Sequence, residues 1–133
     1  MLSKRLAKSV LVVDDDEVVL GSMKAVLELA GFDVSTVCDG TEVMKAMGER
    51  RYDVLILDVN MPRIDGVELF QEIKNSEQYR GLPVVFTSGY PVWSEPEERR
   101  REIFKEANAY LQKPFNIHVL MKTVERLAYL GPG

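Results

Sequence analysis

The chain has 133 residues, 46% of them hydrophobic, and its 17 basic and 21 acidic side chains leave a formal net charge of −4. That length fits one compact domain, residues 1–133, without a second domain of ordinary size, and the acidic balance argues against a nucleic-acid backbone as the main partner. A single cysteine, Cys38, excludes an internal disulfide; no apolar run approaches the ~20 residues of a membrane span, and the basic start MLSKRLAKSV lacks the apolar core of a secretory signal, so a soluble, cytoplasmic protein with no membrane insertion is expected.

In chain order, the first apolar run is Val10–Val13, which reads as a strand buried on both faces because nothing in it alternates polar with apolar. Val19, Met23, Val26, Leu27 and Ala30 then line one face of a helix, and Gly31 follows where a helix end favours a left-handed residue. Val34–Val37 is a second strand, after which Asp39 is placed to cap a helix carrying Val43, Met44 and Met47. Val54–Leu57 is the third strand, and Asp65 is placed to cap a third helix with Leu69, Phe70 and Ile73 inward. Val84–Phe86 is the fourth, followed by SEPE at 94–97, which has the pattern of a capping box with proline in the first turn. Tyr110–Leu111 is the fifth strand, and Ile117, Leu120, Met121, Val124 and Leu127 stripe the last helix. Strands alternating with helices predict an α/β fold: a single doubly wound domain whose five-stranded parallel sheet is covered by helices on both faces.

Ligands of such open sheets sit at the carboxyl ends of the strands. There the sequence delivers Asp14, Asp15 and Asp16 after the first strand, Asp58 after the third, Thr87 and Ser88 after the fourth and Lys113 after the fifth. Each alone has an ordinary explanation as a cap, a turn or a surface charge. Together they do not: two carboxylates about 4 Å apart repel by ~4 kcal/mol at an effective dielectric near 20. A hard cation with oxygen ligands resolves the cost, and Mg²⁺ suits such a set. Asp58 beside the ion can attack a phosphoryl group as a carboxylate nucleophile, with Lys113 and the ion offsetting oxygen charge and Ser88 donating to the product.

The motifs VVDDDE, LILDVNMPRIDG, VVFTSGY and YLQKPF, in that order, resemble those of the receiver domain of bacterial two-component response regulators across residues 9 to 130. The resemblance implies strand order 2-1-3-4-5, Asp58 as phosphoacceptor, Asp15 as direct Mg²⁺ ligand and Asp14 as the acid holding a metal-bound water. It also implies that Asn60 offers its backbone carbonyl to the ion. Ser88, fifth after Pro83, takes the switch hydroxyl position, and its neighbour Thr87 faces the other side. Lys113 is implied as the lysine that senses the phosphoryl group, with a cis bond to Pro114, and Tyr110 as the aromatic that reorients. Asp16 is left to cap the first helix. The implied partners are a sensor histidine kinase or phosphotransfer protein and a downstream target, read from a face of the fourth helix, fifth strand and fifth helix. The resemblance implies a phosphoacceptor module rather than an enzyme, with at most self-phosphorylation from small donors and self-dephosphorylation.

Two features depart from the family pattern. Ser88 and Lys113 lie 113 − 88 = 25 residues apart, a few more than usual, with the excess around YPVWSEPEERRRE, and Glu106 stands where a glycine is usual. Phosphorylation is expected to move this lengthened loop and so change the exposure of the lone tryptophan, Trp93. ERRRE reads as a solvated helix face because acids flank it, Cys38 as a half-buried strand residue, and His118 alone cannot build a metal site. A phosphatase of the haloacid dehalogenase type is the competing enzyme reading, with Asp14 and Asp16 as its Asp-x-Asp and Ser88 and Lys113 in its later motifs. It leaves Asp58 unexplained and lacks a late acidic pair, since only Glu125 follows Lys113. A receiver excised from a hybrid histidine kinase or a DNA-binding regulator shares the first chemistry and differs only in context.

Overall fold

A computed structural model describes residues 7–91 and 94–130; Trp93 lies outside these described residues. Five strands, β1 (Ser9–Val13), β2 (Asp33–Val37), β3 (Val54–Asp58), β4 (Val84–Ser88) and β5 (Ala109–Gln112), form one sheet in the order β2-β1-β3-β4-β5. All four pairings are parallel. Every residue of β1, β3 and β4 is buried, as expected of central strands covered on both faces, whereas the edge strands β2 and β5 are only partly buried.

Five α-helices cover the sheet: α1 (Glu17–Leu29), α2 (Val43–Glu49), α3 (Gly66–Asn75), α4 (Glu98–Glu106) and α5 (Ile117–Leu130). The pleat divides the core in two. Val10 and Val12 of β1, Val54 and Ile56 of β3, Val85 of β4 and Leu111 of β5 meet Leu20, Met23 and Leu27 of α1 and Leu120, Val124 and Leu127 of α5. The alternate residues Leu11, Val13, Leu55, Leu57, Val84 and Phe86 meet Val43, Phe70, Ile73, Ile103 and Phe104 from α2, α3 and α4.

The caps follow the sequence at three places and depart from it at two. Asp16 accepts from the amides of Val18 and Val19 at the start of α1, and Asp65 accepts from Val67 at the start of α3. Gly31 follows α1 at φ 97°, the left-handed conformation a glycine tolerates. Asp39, by contrast, caps a single 3₁₀ turn, Gly40–Glu42, that precedes α2 rather than the helix itself. The expected capping box at 94–97 does not form. Ser94 sits in its own tight turn, its Oγ donating to the Pro91 carbonyl at 2.8 Å, and α4 begins only at Glu98 without a side-chain cap. Cys38 is exposed just past β2 rather than half-buried within it. No helix among the described residues is long and apolar enough to cross a membrane.

Candidate functional site

Continuing the alternation past the strand ends builds the site. Asp14 stands two residues beyond Val12, Asp58 two beyond Ile56, Thr87 two beyond Val85 and Lys113 two beyond Leu111, so all four extend the α1–α5 face at the carboxyl edge of the sheet. Asp14 is fully buried and Asp58 is 4% exposed. Carboxylate oxygens of Asp14, Asp15 and Asp58 lie within 4.8 Å of one another, with Asp15 on the exposed side. This all-oxygen donor set fits a hard divalent cation such as Mg²⁺.

Lys113 crosses from the far side of the sheet to reach the buried acids. Its Nζ donates to Asp14 Oδ2 at 2.6 Å and, more weakly, to Asp58 Oδ2 at 3.4 Å. Its backbone amide donates to the Ser88 carbonyl at 2.6 Å, and the peptide bond to Pro114 is cis. Burial, reinforced by the negative charge of Asp14, pushes the Asp58 carboxyl up to about 6, against the pull of Lys113 and the Asn60 amide. For Lys113, burial alone lowers the ammonium, but the hydrogen bond to Asp14 and the charges of Asp58 and Asp14 outweigh it and the net shift is upward.

Asn60 links this acid cluster to the opposite face. Its backbone amide donates to Asp58 Oδ1 at 3.1 Å, while its side-chain amide donates to Ser88 Oγ at 3.2 Å. Ser88 Oγ also accepts from the Tyr90 amide at 3.1 Å, so the buried hydroxyl oxygen serves two donors. Beyond Ser88 a cavity of about 380 Å³ runs under the start of α4, lined in part by Tyr90, Glu95, Phe104 and Tyr110. Tyr110 packs its ring against Phe104, centroids 5.2 Å apart, and its hydroxyl donates to the Tyr90 carbonyl at 2.8 Å. Burial raises the phenol above its usual range. A larger groove of about 630 Å³, lined by Arg51, Tyr52, Asp53 and Tyr79 among others, opens at the opposite, amino-terminal edge, away from the carboxylates.

Asp14, Asp15, Asp58, Asn60, Ser88 and Lys113, all singled out from the sequence, therefore stand at one edge of the sheet, whereas Tyr110 lies within β5 beside Phe86 and reaches the site through Tyr90. Asp16 stays outside the acid cluster as a helix cap. Three contributors escape a reading of the sequence. Gly66 lets α3 close against the strand: a Cβ there would stand 2.5 Å from the Asp58 carbonyl oxygen. Arg100, expected on a solvated face, has an 18% exposed side chain that pairs with Asp65 and with Glu95, tying α4 to the cap of α3. Arg63, at φ 74°, holds the intervening loop to Asp39 at 2.6 Å. The only sequence signal for these is the glycine in RIDG; the ion pairs span intervals with no local pattern.

The family model for the response regulator receiver domain matches residues 10–125. The transcriptional regulatory protein PrrA of Mycobacterium tuberculosis is 37% identical over 118 residues, covering 89% of this chain and 48% of that protein. The chain thus spans about half the length of that relative. The polar-differentiation response regulator DivK of Brucella abortus is 26% identical over 126 residues, covering 95% and 98% respectively. Among solved structures, chemotaxis response regulator CheY4 of Vibrio cholerae superposes with a TM-score of 0.79 at 32% identity, covering 91% of this chain and 98% of that one. The signal receiver domain of a histidine kinase from Syntrophus aciditrophicus gives 0.82 at 30% identity, covering 92% and 90%. The sheet order, the acid cluster at its carboxyl edge and the match over residues 10–125 lead to one conclusion: the chain belongs to the response regulator receiver domain family of two-component signalling.

Proposed function

We propose that Asp58 accepts a phosphoryl group from a phosphohistidine of a sensor kinase or phosphotransfer protein, with Mg²⁺ held at Asp14, Asp15, Asp58 and the Asn60 carbonyl. The single observation that carries this reading is the opposition of one ammonium, Lys113 Nζ, to two buried carboxylates at 2.6 and 3.4 Å. An Asp58 oxygen forms the new bond to phosphorus as the phosphorus–nitrogen bond of the donor breaks, and the electron pair leaves on the imidazole. When bound, Mg²⁺ supplies positive charge to the transferring oxygens. Lys113 opposes the charge that the added phosphoryl group brings, and Ser88 gives up its present partners to donate to a phosphoryl oxygen. The domain acts as a cytoplasmic signalling module with at most self-phosphorylation and self-dephosphorylation of its own.

The response passes to the surface of α4, β5 and α5. Among the described residues of α4 only Ile103 and Phe104 are buried, at about 1.5–3 kcal/mol for each fully buried side chain, so this helix is weakly anchored and shifts under a small bias. Ser88 and Tyr110 are its switch residues, because Tyr90 touches both: its amide donates to Ser88 Oγ and its carbonyl accepts from the Tyr110 hydroxyl. Movement of Ser88 therefore pulls on the support of the tyrosine.

Intact mass after acetyl phosphate and Mg²⁺ tests the chemistry. The parent gains one phosphoryl group only with Mg²⁺, and Asp58→Asn gains none. Stoichiometric labelling of Asp58→Asn, together with its loss in Asp14→Asn, would establish the phosphatase-type reading instead.

A further inference from the structure

The Thr87 hydroxyl lies in the same polar row as the acids and has no role in the reading above. Thr87 is fully buried, and its Oγ1 is, among the described residues, the buried side-chain polar atom that lacks a hydrogen-bond partner. Such a group is costly, and a valine would fill the same space without the cost. Valines do so at positions 84 and 85 of the same strand. Thr87 pairs with Asp58 across β3 and β4, and parallel neighbours stand about 4.8 Å apart with their side chains on the same face. Thr87, with its unpartnered hydroxyl, is therefore the strand neighbour of Asp58 in the carboxylate cluster.

The route taken by Lys113 gives this hydroxyl a purpose. Lys113 follows β5, and the sheet order is β1-β3-β4-β5 from the acids outward, so its side chain reaches Asp58 and Asp14 only by passing over the end of β4. Thr87 ends that strand on the face Lys113 crosses, one residue before Ser88. The ammonium now gives its shortest bond to Asp14, at 2.6 Å. A divalent cation among Asp14, Asp15 and Asp58 competes for those oxygens and repels the ammonium, and a retreat toward its own root takes it over β4. Ser88 Oγ is a poor acceptor there, because it already serves the Asn60 side chain and the Tyr90 amide and lies on the other face.

We propose that Thr87 is a positioning residue whose buried hydroxyl oxygen receives the Lys113 ammonium when a divalent cation enters the carboxylate cluster. The inference rests on the metal-site reading above. It gives Lys113 a defined second position within reach of Asp58, and it lets the cation bind without leaving a half-buried ammonium unpaired.

The test is Mg²⁺ affinity by calorimetry on the full chain, without any phosphodonor. Thr87→Val is expected to weaken Mg²⁺ binding about tenfold, the scale of one hydrogen bond to a charged group, while Thr87→Ser keeps parental affinity. Thr87→Ala lacks the hydroxyl without adding a methyl, so it carries the same expectation where the valine variant misfolds. Lys113→Ala is expected to bind more tightly than the parent, and adding Thr87→Val to it is expected to change nothing, because no ammonium then needs a second station. Equal affinity of parent and Thr87→Val, or the same loss with and without Lys113, would overturn the proposal. A parent that binds no Mg²⁺ overturns the metal-site reading and this one together.

Discussion

Replacing Asp58 by asparagine is expected to stabilise the metal-free domain although it removes the carboxylate proposed as phosphoacceptor. The folded carboxyl rises from 3.8 to about 6, burial being the main cause and the Asp14 charge the second. At about 1.4 kcal/mol per pH unit, ionising Asp58 in the folded chain costs about 3 kcal/mol. The group is 4% exposed, so solvent screening removes little of this. The sign follows from proton counting. Below about pH 4 the carboxyl is protonated in both folded and unfolded chains, and the cost is absent. Between about pH 4 and 6 the folded chain keeps a proton that the unfolded chain has lost, so stability falls as pH rises. Above about pH 6 the full penalty is present. Asparagine occupies nearly the same volume and never ionises. In urea unfolding followed by circular dichroism with a chelator present, Asp58→Asn should exceed the parent by up to about 3 kcal/mol at pH 7.5, or roughly 10 °C in melting temperature. The two should converge near pH 4. An asparagine variant no more stable than the parent at pH 7.5, or an advantage that persists unchanged at pH 4, would refute the electrostatic account.

Gly66→Ala should lower stability by about 2 kcal/mol or more, since the new Cβ meets backbone atoms of Asp58 and Val59 that cannot give way as a side-chain tip would; thermal unfolding reads the loss, and a variant within error of the parent contradicts the close approach. Arg100→Ala should cost about 1 kcal/mol overall by breaking a half-buried pairing, and it should speed amide exchange in α4 while leaving α5 protected. Equal acceleration in both helices would mean that Arg100 does not tether α4 in particular.

Much of this could be read from the sequence because the decisive signals are local. An uninterrupted apolar run such as Val10–Val13 has no polar face to expose, so it belongs in the middle of a covered sheet, and the acids behind it fall at a strand end. Asp58 ends β3 for the same reason, with Leu55 and Ile56 buried on opposite faces of the sheet. Capping signals were less dependable, because a side-chain oxygen has competing partners. Ser94 found the Pro91 carbonyl before it could cap α4, and Asp39 served a 3₁₀ turn. Long-range pairs left no trace. Nothing near Arg100 points to Asp65, 35 positions away, and the run ERRRE hides the arginine that turns inward among those that stay wet. The isolation of Thr87 Oγ1 depends on neighbours from other strands, which no local pattern encodes.

The bond between Lys113 and Asp14 joins positions 99 residues apart, and β5, which leads into that lysine, is an edge strand. On a ribosome the two buried acids emerge long before the cation that opposes them. Until β5 adds to the edge, Asp14 and Asp58 face each other without the ammonium, with the backbone amides of Asp16 and Asn60 as their donors. Closing so long a loop is a slow step in domain assembly. The ammonium therefore joins the carboxylate cluster late, and a chain that stops short of β5 has its buried acids without the cation that pairs with them.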